Sequence, residues 1–411
     1  MSSKNNPDVI IIGGGAAGMT AAIFAAGQNK RVLLIERNER LAVKLGITGK
    51  GRCNLTNNTD VQTLLKNVKT NPHFLQSAFN RFNSADTMAF FEELGVRLKT
   101  ERGNRVFPVS DKAAEVVDAL ILRNNILGVN IINERAVSLI AENGVIAGVK
   151  CRTDLYRAAK VILATGGRTY PKTGSTGDGY KLAAALGHTI VKPKPSLVPL
   201  VTCENVSEMS GLSLKNVKLS LFAPDTGKLL YAEQGELVFT HFGISGPLAL
   251  SASFYIDDTF NAPYKMEIDL KPALDQKKLD TRILRDFSEN KNKQLQNALD
   301  ALLPKSIIPY VISRANIQPD RRVNEISVAE RRRLLEAVKG FTLTFDSFRP
   351  IDEAVITDGG IDTREINPKT MESKLIKGLH FAGEIIDVAA FTGGFNLQIA
   401  FSTAYAAATD I

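Results

Sequence analysis

The feature that most restricts this chain lies near its start. Asp8–Ile12 is a short, β-branched apolar run that reads as a buried strand. It leads into Gly13-Gly-Gly15-Ala16-Ala17-Gly18, then into the small-residue helical stretch Met19–Gln28, and then into a second apolar strand, Arg31–Glu36. This is one βαβ unit with a glycine fingerprint in its first turn and an acid at the end of its second strand. Each residue type has a physical reason. Gly13 permits the tight turn, Gly15 lets a pyrophosphate approach the backbone, and Gly18 lets helix and strand pack closely. The helix N-terminus presents free N–H groups and the positive end of its dipole to phosphate. Glu36 can accept hydrogen bonds from ribose hydroxyls. Glycine is 31 of 411 residues, an ordinary share, so its clustering here is positional.

Two charge-free stretches, Val9–Asn29 and Val388–Thr409, are long enough to cross a bilayer. Both are broken by glycines and dotted with Thr, Ser, Asn and Gln, and the first lacks the basic flank of a signal peptide. They are expected to be buried strands feeding buried helices in a soluble, cytoplasmic protein with no membrane partner. Cys53, Cys151 and Cys203 lie far apart, which excludes a CxxC redox pair and a Cys-rich zinc site. No His or carboxylate cluster suggests a metal. The excess of 51 basic over 43 acidic residues suits anionic ligands without being a nucleic-acid signature. The densest basic run, Arg331-Arg332-Arg333 with Arg321 and Arg322 upstream, reads as a solvated helix face ahead of a nucleic-acid contact.

Along the chain, residues 73–95 read as one amphipathic helix. Val129–Leu139, Val145–Arg152 and Leu155–Leu163 read as strands, the first two joined at Asn143-Gly144. Prolines at 193, 195 and 199 mark a boundary, after which the texture turns to strands and then, from about 274 to 340, to charged helices. The expected fold class is α/β: a Rossmann-like nucleotide domain (1–191 and 342–411) interrupted by a β domain (192–273) and a small helical domain (274–341).

Later segments sharpen the ligand. Val161-Ile-Leu-Ala-Thr165-Gly166-Gly167 is a buried strand ending in Thr-Gly-Gly, and Leu379-His-Phe-Ala-Gly383-Glu384-Ile-Ile-Asp387 is another ending in a glycine and two acids. With the opening fingerprint, these resemble flavoproteins of the two-dinucleotide-domain superfamily. The resemblance implies that the first motif holds an FAD pyrophosphate, that the Ala-Thr-Gly strand supports it, and that the late strand meets ribitol or phosphate. Gly383-Glu384 stands where that superfamily carries Gly-Asp, so the ribitol role falls to Asp387 or a backbone N–H. A closer likeness rests on five segments in order: Lys44–Asn54 with its Gly51-Arg52-Cys53-Asn54, Arg105-Val-Phe-Pro108, Thr173-Gly-Ser-Thr-Gly177-Asp178-Gly179, Thr240-His241-Phe-Gly243-Ile-Ser245-Gly246-Pro247, and Thr392-Gly393-Gly394-Phe395-Asn396-Leu397-Gln398. These resemble the bacterial FAD-dependent oxidoreductases called YhiN-like or BaiN-like, a family that includes aminoacetone oxidases. The family's architecture, a flavin domain with an inserted β-barrel-like domain and a helical domain, is the one read above. The resemblance extends the cofactor-lining set to Arg37, Asn54, Ala136, Val137, Asp178, Phe395 and Leu397.

The same segments carry their own chemistry. Thr48-Gly49-Lys50-Gly51-Arg52 is a glycine-spaced basic loop whose N–H groups, with Arg52 and Lys44, suit a diphosphate. Cys53 reads as a small packed residue. Gly393-Gly394 opens a final helix whose N-terminus, aimed at the flavin pyrimidine edge, would ease ring reduction, with Asn396 as a hydrogen-bonding neighbour. His241, in a turn of the insert, is the candidate proton donor or acceptor.

The expected activity is therefore an oxidoreductase that binds FAD non-covalently and passes a hydride through flavin N5 between a small organic substrate and O2 or NAD(P)H. The nicotinamide would bind transiently, because no second full fingerprint appears. Two other classes stay open: a flavin-dependent RNA-modifying enzyme, suggested by a pI of 9.2, and a non-catalytic flavin-binding regulatory protein. Salt-dependent RNA binding separates the first; steady flavin turnover separates the second. No feature of the sequence specifies an oligomeric state.

Overall fold

A computed structural model describes residues 7–257 and 263–410. They form two compact units, 7–196 with 350–410, and 197–349 with its undescribed residues left aside.

In the first unit the run Val9–Ile12 (β1) is completely buried and lies in the middle of a five-stranded parallel sheet. Val32–Glu36 (β2), Asn130–Asn133 (β3), Lys160–Leu163 (β4) and Leu379–Phe381 (β5) complete it in the order β5-β4-β1-β2-β3. Val9 pairs with Val32 on one side and Lys160 on the other. A strand hydrogen-bonded on both edges and covered on both faces has no use for alternation, so it is apolar throughout. Ala16–Gly27 (α1) and Phe395–Thr409 (α2) pack against one another and are buried nearly all round. The two charge-free stretches are thus strand-plus-helix segments of one core. At 12 and 15 residues the helices fall short of the roughly 20 that a bilayer requires. Among the described residues no helix is long and apolar enough to cross a membrane.

Several expected elements are cut differently. The helix expected over 73–95 is divided into 72–75, 76–81 and 84–93, because Asn83 and Asp86 form a reciprocal capping box that starts a new helix. The strands expected at Val129–Leu139 and Leu155–Leu163 each change sheet midway. Asn130–Asn133 and Lys160–Leu163 belong to the parallel sheet, whereas Ala136–Glu142, Val145–Cys151 and Leu155–Arg157 form an antiparallel meander. Asn143 and Gly144 both have positive φ, 52° and 75°, as a two-residue hairpin turn of this hand requires.

The second unit is a closed six-stranded barrel in the order Leu200–Thr202, Gly243–Ser245, Leu229–Thr240, Ser213–Phe222, Lys265–Asp269, Phe341–Phe348. This corrects two expectations. Residues 342–349 do not return to the nucleotide domain: Phe341, Leu343 and Phe345 point into the barrel and close it. The helices of 274–340 are not a separate domain either. Leu279, Ile283, Val311, Leu334 and Val338 share one continuous core with the barrel strands. A single amphipathic layer buries its apolar face most cheaply on an existing core.

Candidate functional site

The cofactor-side residues lie in the first unit, beginning at the turn between β1 and α1. A Cβ on Gly13 (φ 108°) would stand 2.5 Å from the Ala164 carbonyl oxygen, and one on Gly18 would overlap the Gly13 carbonyl. Both glycines are fixed by close packing of α1 on β1 and β4. Gly15 differs: a Cβ there would meet nothing within 4 Å. The space in front of Gly15 is open. Helix α1 starts at that point with Gly15 as its N-cap, no side-chain cap and no acid in its first turn. Ala16 and Ala17 follow, and their N–H groups are among those a helix start leaves without a partner. The Glu36 carboxylate holds the turn in place. One oxygen accepts from the Gly14 N–H at 2.6 Å and the other from the Asn38 N–H at 2.8 Å.

Beyond β2, Arg37 and Arg135 both reach Asp178, at 2.9 and 2.5 Å. Arg37 also donates to the Thr176 hydroxyl. Ala136 and Val137, at the start of the meander, follow Arg135 directly, and Val137 is exposed. The loop after β4 packs on the 173–179 loop: Gly166 stands against Ser175, and the Gly177 N–H donates to the Gly167 carbonyl. Between these loops the Thr165 and Ser175 hydroxyls are buried without a hydrogen-bond partner.

The late strand brings two more of the expected residues to the same place. A Cβ on Gly383 (φ 78°) would stand 2.9 Å from the Ala17 Cβ, so β5 ends on the first turn of α1. Glu384 is fully engaged. It receives the Lys44 ammonium at 2.6 Å, the Thr169 hydroxyl at 3.2 Å and the Thr357 N–H at 2.8 Å. Lys44 is therefore an anchor for this strand as the structure stands. Asp387 accepts from the Asn71 amide at 2.9 Å, and burial together with the nearby Asp358 pushes its carboxyl up to about 6. Tyr180, against the same strand, has its hydroxyl pushed upward by burial.

The closing helix α2 repeats the opening theme. Its N-cap is Gly394 (φ 98°), again without a side-chain cap or an acid in the first turn. A Cβ on Gly394 would collide with the Thr56 carbonyl. Phe395 is buried and Leu397 half-buried beside it. Asn396 is committed to the backbone: it accepts from Ala390 N–H and donates to the Ala390 and Phe391 carbonyls. Its task is to shape the loop before the helix.

The basic loop also has internal partners. Arg52 pairs with Glu101 and Asp111 and stacks over Phe107 at 4.1 Å. The Thr48 hydroxyl donates to the Leu45 carbonyl. Gly49, Lys50 and Gly51 all have positive φ, so the loop turns in the left-handed sense that glycine tolerates. Cys53 is fully buried, with its thiol pushed up to about 12 by desolvation. The Asn54 side-chain oxygen is buried without a partner. His241 belongs to the barrel unit, where it stands on an exposed turn, edge-on to Phe242. Among the described residues, no group of three His, Cys, Asp or Glu could hold a metal ion.

These residues fit a dinucleotide. Two helix starts lack caps, open space faces Gly15, and two buried hydroxyls beside the Gly166-Gly167 turn have no protein partner. Each is a group that a phosphate- and hydroxyl-rich ligand would satisfy. Sequence reading missed Arg135, Thr169, Ser175 and Thr357, which hold the loops together. They sit in segments with no fixed spacing to the fingerprint. Only the Thr173–Gly179 segment pointed toward one of them, Ser175.

The comparisons agree with this geometry. The family described as HI0933-like protein Rossmann domain matches residues 7–410. A 3-dehydro-bile acid delta(4,6)-reductase of Clostridium scindens is 32% identical over 409 residues, covering 97% of each chain. A ribosomal RNA dihydrouridine synthase of Haemophilus influenzae is 31% identical, covering 98% of each. Among solved structures, the 3-ketosteroid-delta4-(5alpha)-dehydrogenase of Rhodococcus jostii aligns with a TM-score of 0.54 at 15% identity, covering 100% of this chain and 97% of that one, which shows a shared fold. On the match across nearly its whole length, the chain belongs to the HI0933-like family.

Proposed function

We propose that this chain is an FAD-dependent oxidoreductase that holds its cofactor non-covalently and moves a hydride between a small organic substrate and NAD(P)H or O2. The observation that carries this is the start of α1, uncapped, sealed behind by Gly13 and Gly18, and open in front of Gly15. Bound FAD supplies a hydride-transferring N5. The chain's own residues do the rest. The first turn of α1 binds the diphosphate, Glu36 orients the phosphate turn, and Arg37 with Arg135 frames the adenosine end. The Lys44–Glu384 pair fixes β5 against α1. The uncapped start of α2 stabilises negative charge nearby. Cys53, sealed in the core, offers no thiol for covalent attachment.

The relatives' names narrow the substrate chemistry. A bile acid delta(4,6)-reductase and a dihydrouridine synthase both saturate a carbon–carbon double bond conjugated to a carbonyl. We infer an activated alkene of this kind for the present chain. The test is an anaerobic visible spectrum of purified protein, titrated with NADH, NADPH and a steroid enone. The flavin band should survive desalting, appear in the supernatant after heat denaturation, and bleach with a nicotinamide. A colourless protein that cannot take up added FAD would falsify this reading.

An RNA substrate is the second reading, favoured by the ribosomal RNA dihydrouridine synthases of Haemophilus influenzae and of Escherichia coli at 31% and 29% identity. The charge supports only one place for it. Residues 197–349 hold 20 basic and 19 acidic side chains, so nearly all of the net +8 lies in the other unit. The arginine run of the barrel unit is largely spent. Arg331 pairs with Asp280, Arg333 donates to the Ala315 carbonyl, and Arg321 pairs with Glu330.

His241 enters as the proposed acid or base. His241→Ala is expected to lower kcat by about 10²-fold, the usual share of such a group, and to remove one limb of the pH profile. Unchanged turnover at every pH excludes it.

A further inference from the structure

We propose that the hairpin turn Arg102–Arg105 recognises an anionic group, carboxylate or phosphate, on the substrate. The proposal rests on the FAD reading above, in which the helix start at Gly393-Gly394 faces the pyrimidine edge of the flavin ring. The strands Leu98–Glu101 and Arg105–Pro108 form a hairpin, and Thr56–Asn57 pairs along its second strand. The turn residues Gly103 and Asn104 have positive φ, 75° and 58°. One side chain ties this turn to the helix start: the Asn57 amide donates to the Gly103 carbonyl at 2.9 Å and to the Gly393 carbonyl at 3.1 Å. The Asn58 N–H donates to the Asn104 carbonyl at 2.7 Å and holds the other half of the turn. The hairpin is therefore fixed beside the start of α2.

Its charge is left unbalanced. Arg102 and Arg105 are exposed. The Arg105 Nε donates to the Arg102 carbonyl at 3.1 Å, and this guanidinium lies 5.9 Å from the Phe107 ring. A Cβ on Gly49 would stand 3.6 Å from the edge of that ring, so the loop that carries the exposed Lys50 passes by it. The acids of this surface are taken already: Glu101 by Arg52, and Asp111 by Arg52 and Lys99. Among the described residues, Arg102, Lys50 and the terminal nitrogens of Arg105 have no acidic partner. Like charges gathered without counter-charge repel, and a bound anion removes that repulsion while forming charge-assisted hydrogen bonds. Guanidinium groups suit the paired oxygens of a carboxylate or phosphate.

The experiment uses FAD-loaded protein and the double variant Arg102→Ala/Arg105→Ala. Probe binding is read from the perturbed flavin spectrum for 3-oxo-4-cholenoic acid and for its methyl ester. It is read from fluorescence anisotropy for a labelled oligouridylate. A carboxylate ligand predicts that the variant loses about tenfold in affinity for the acid and nothing for the ester. A phosphate ligand predicts weaker RNA binding and a log–log salt slope shallower by about 2. Lysines at both positions should restore most of either effect, and Lys150→Ala, an exposed cation on the meander, should change nothing. If the double variant binds all three probes as the wild type does, or the wild type binds neither anionic probe, the proposal is overturned. Loss of flavin from the wild type would strike the FAD reading alone, because the anisotropy arm needs no flavin.

Discussion

Replacing Gly15 with valine is expected to give a protein that folds normally and emerges without flavin. Gly15 has φ −86° and ψ −167°, extended backbone that any residue adopts, and its Cβ position is empty to 4 Å. The fold loses little: an apolar N-cap costs about 1 kcal/mol relative to glycine. The ligand loses much. A branched side chain fills the space through which a pyrophosphate reaches the first N–H groups of α1. Each charge-assisted hydrogen bond lost costs roughly 1.5–3 kcal/mol, so FAD affinity should fall by at least about 100-fold. The control is Gly18→Ala, whose Cβ overlaps the Gly13 carbonyl and should lower the melting temperature of the apoprotein as well. The ratio of flavin to protein absorbance and apoprotein melts measure both. A Gly15→Val protein that retains stoichiometric FAD places the cofactor somewhere other than this turn.

The second large effect is on acid stability. His380, on β5, is completely buried, and desolvation pushes its imidazole down to about 4, with Glu372 only partly offsetting this. Its Nδ1 faces the Gly378 carbonyl at 3.3 Å, and its Nε2 has no partner. The folded protein therefore holds His380 neutral at pH values where the unfolded chain, with an ordinary value of 6.5, takes up a proton. Stability contributed by the neutral form is present above 6.5 and is lost as pH falls toward 4. The gap of about 2.5 units corresponds to about 3 kcal/mol. His188, also lowered by burial, adds to the same slope, whereas Asp387, raised by burial, opposes it between about 6 and 3.8. The comparison is therefore between wild type and His380→Leu across that window. Urea melts should show the variant losing less stability on acidification by about 3 kcal/mol. Parallel curves for the two proteins would mean that His380 does not carry the effect.

The ease with which elements could be read follows from how local their causes are. The βαβ unit was legible because its signals lie within 29 residues and are mostly backbone requirements: glycine where no Cβ fits and β-branched residues in a strand buried on both faces. Gly383 and Gly394 were legible for the same reason. The cuts within 73–95 and 129–163 were harder. Asn83 acts as a cap only because Asp86 answers it, and a strand changes sheet where its neighbours, not its own residues, dictate. Phe341–Phe348 has a pattern that suits either a nucleotide-domain strand or a barrel strand, and closure of the barrel decides it.

Charge was the least legible property. Lys44, Arg52 and Asn396 have the right chemistry to touch a ligand, yet Glu384, Glu101 with Asp111, and the Ala390 backbone engage them. Arg102 and Arg105 look no different in sequence and are left without acids. The amino-acid order alone determined the nucleotide-binding turn, the acid behind it and the helix that closes the chain, since each depends on steric limits within a few residues. The tertiary structure alone decided which cations are neutralised, which hydroxyls are left unpaired and where the barrel ends. Those outcomes depend on side chains brought together from distant positions, 340 apart for Lys44 and Glu384, and no local spacing encodes such a meeting.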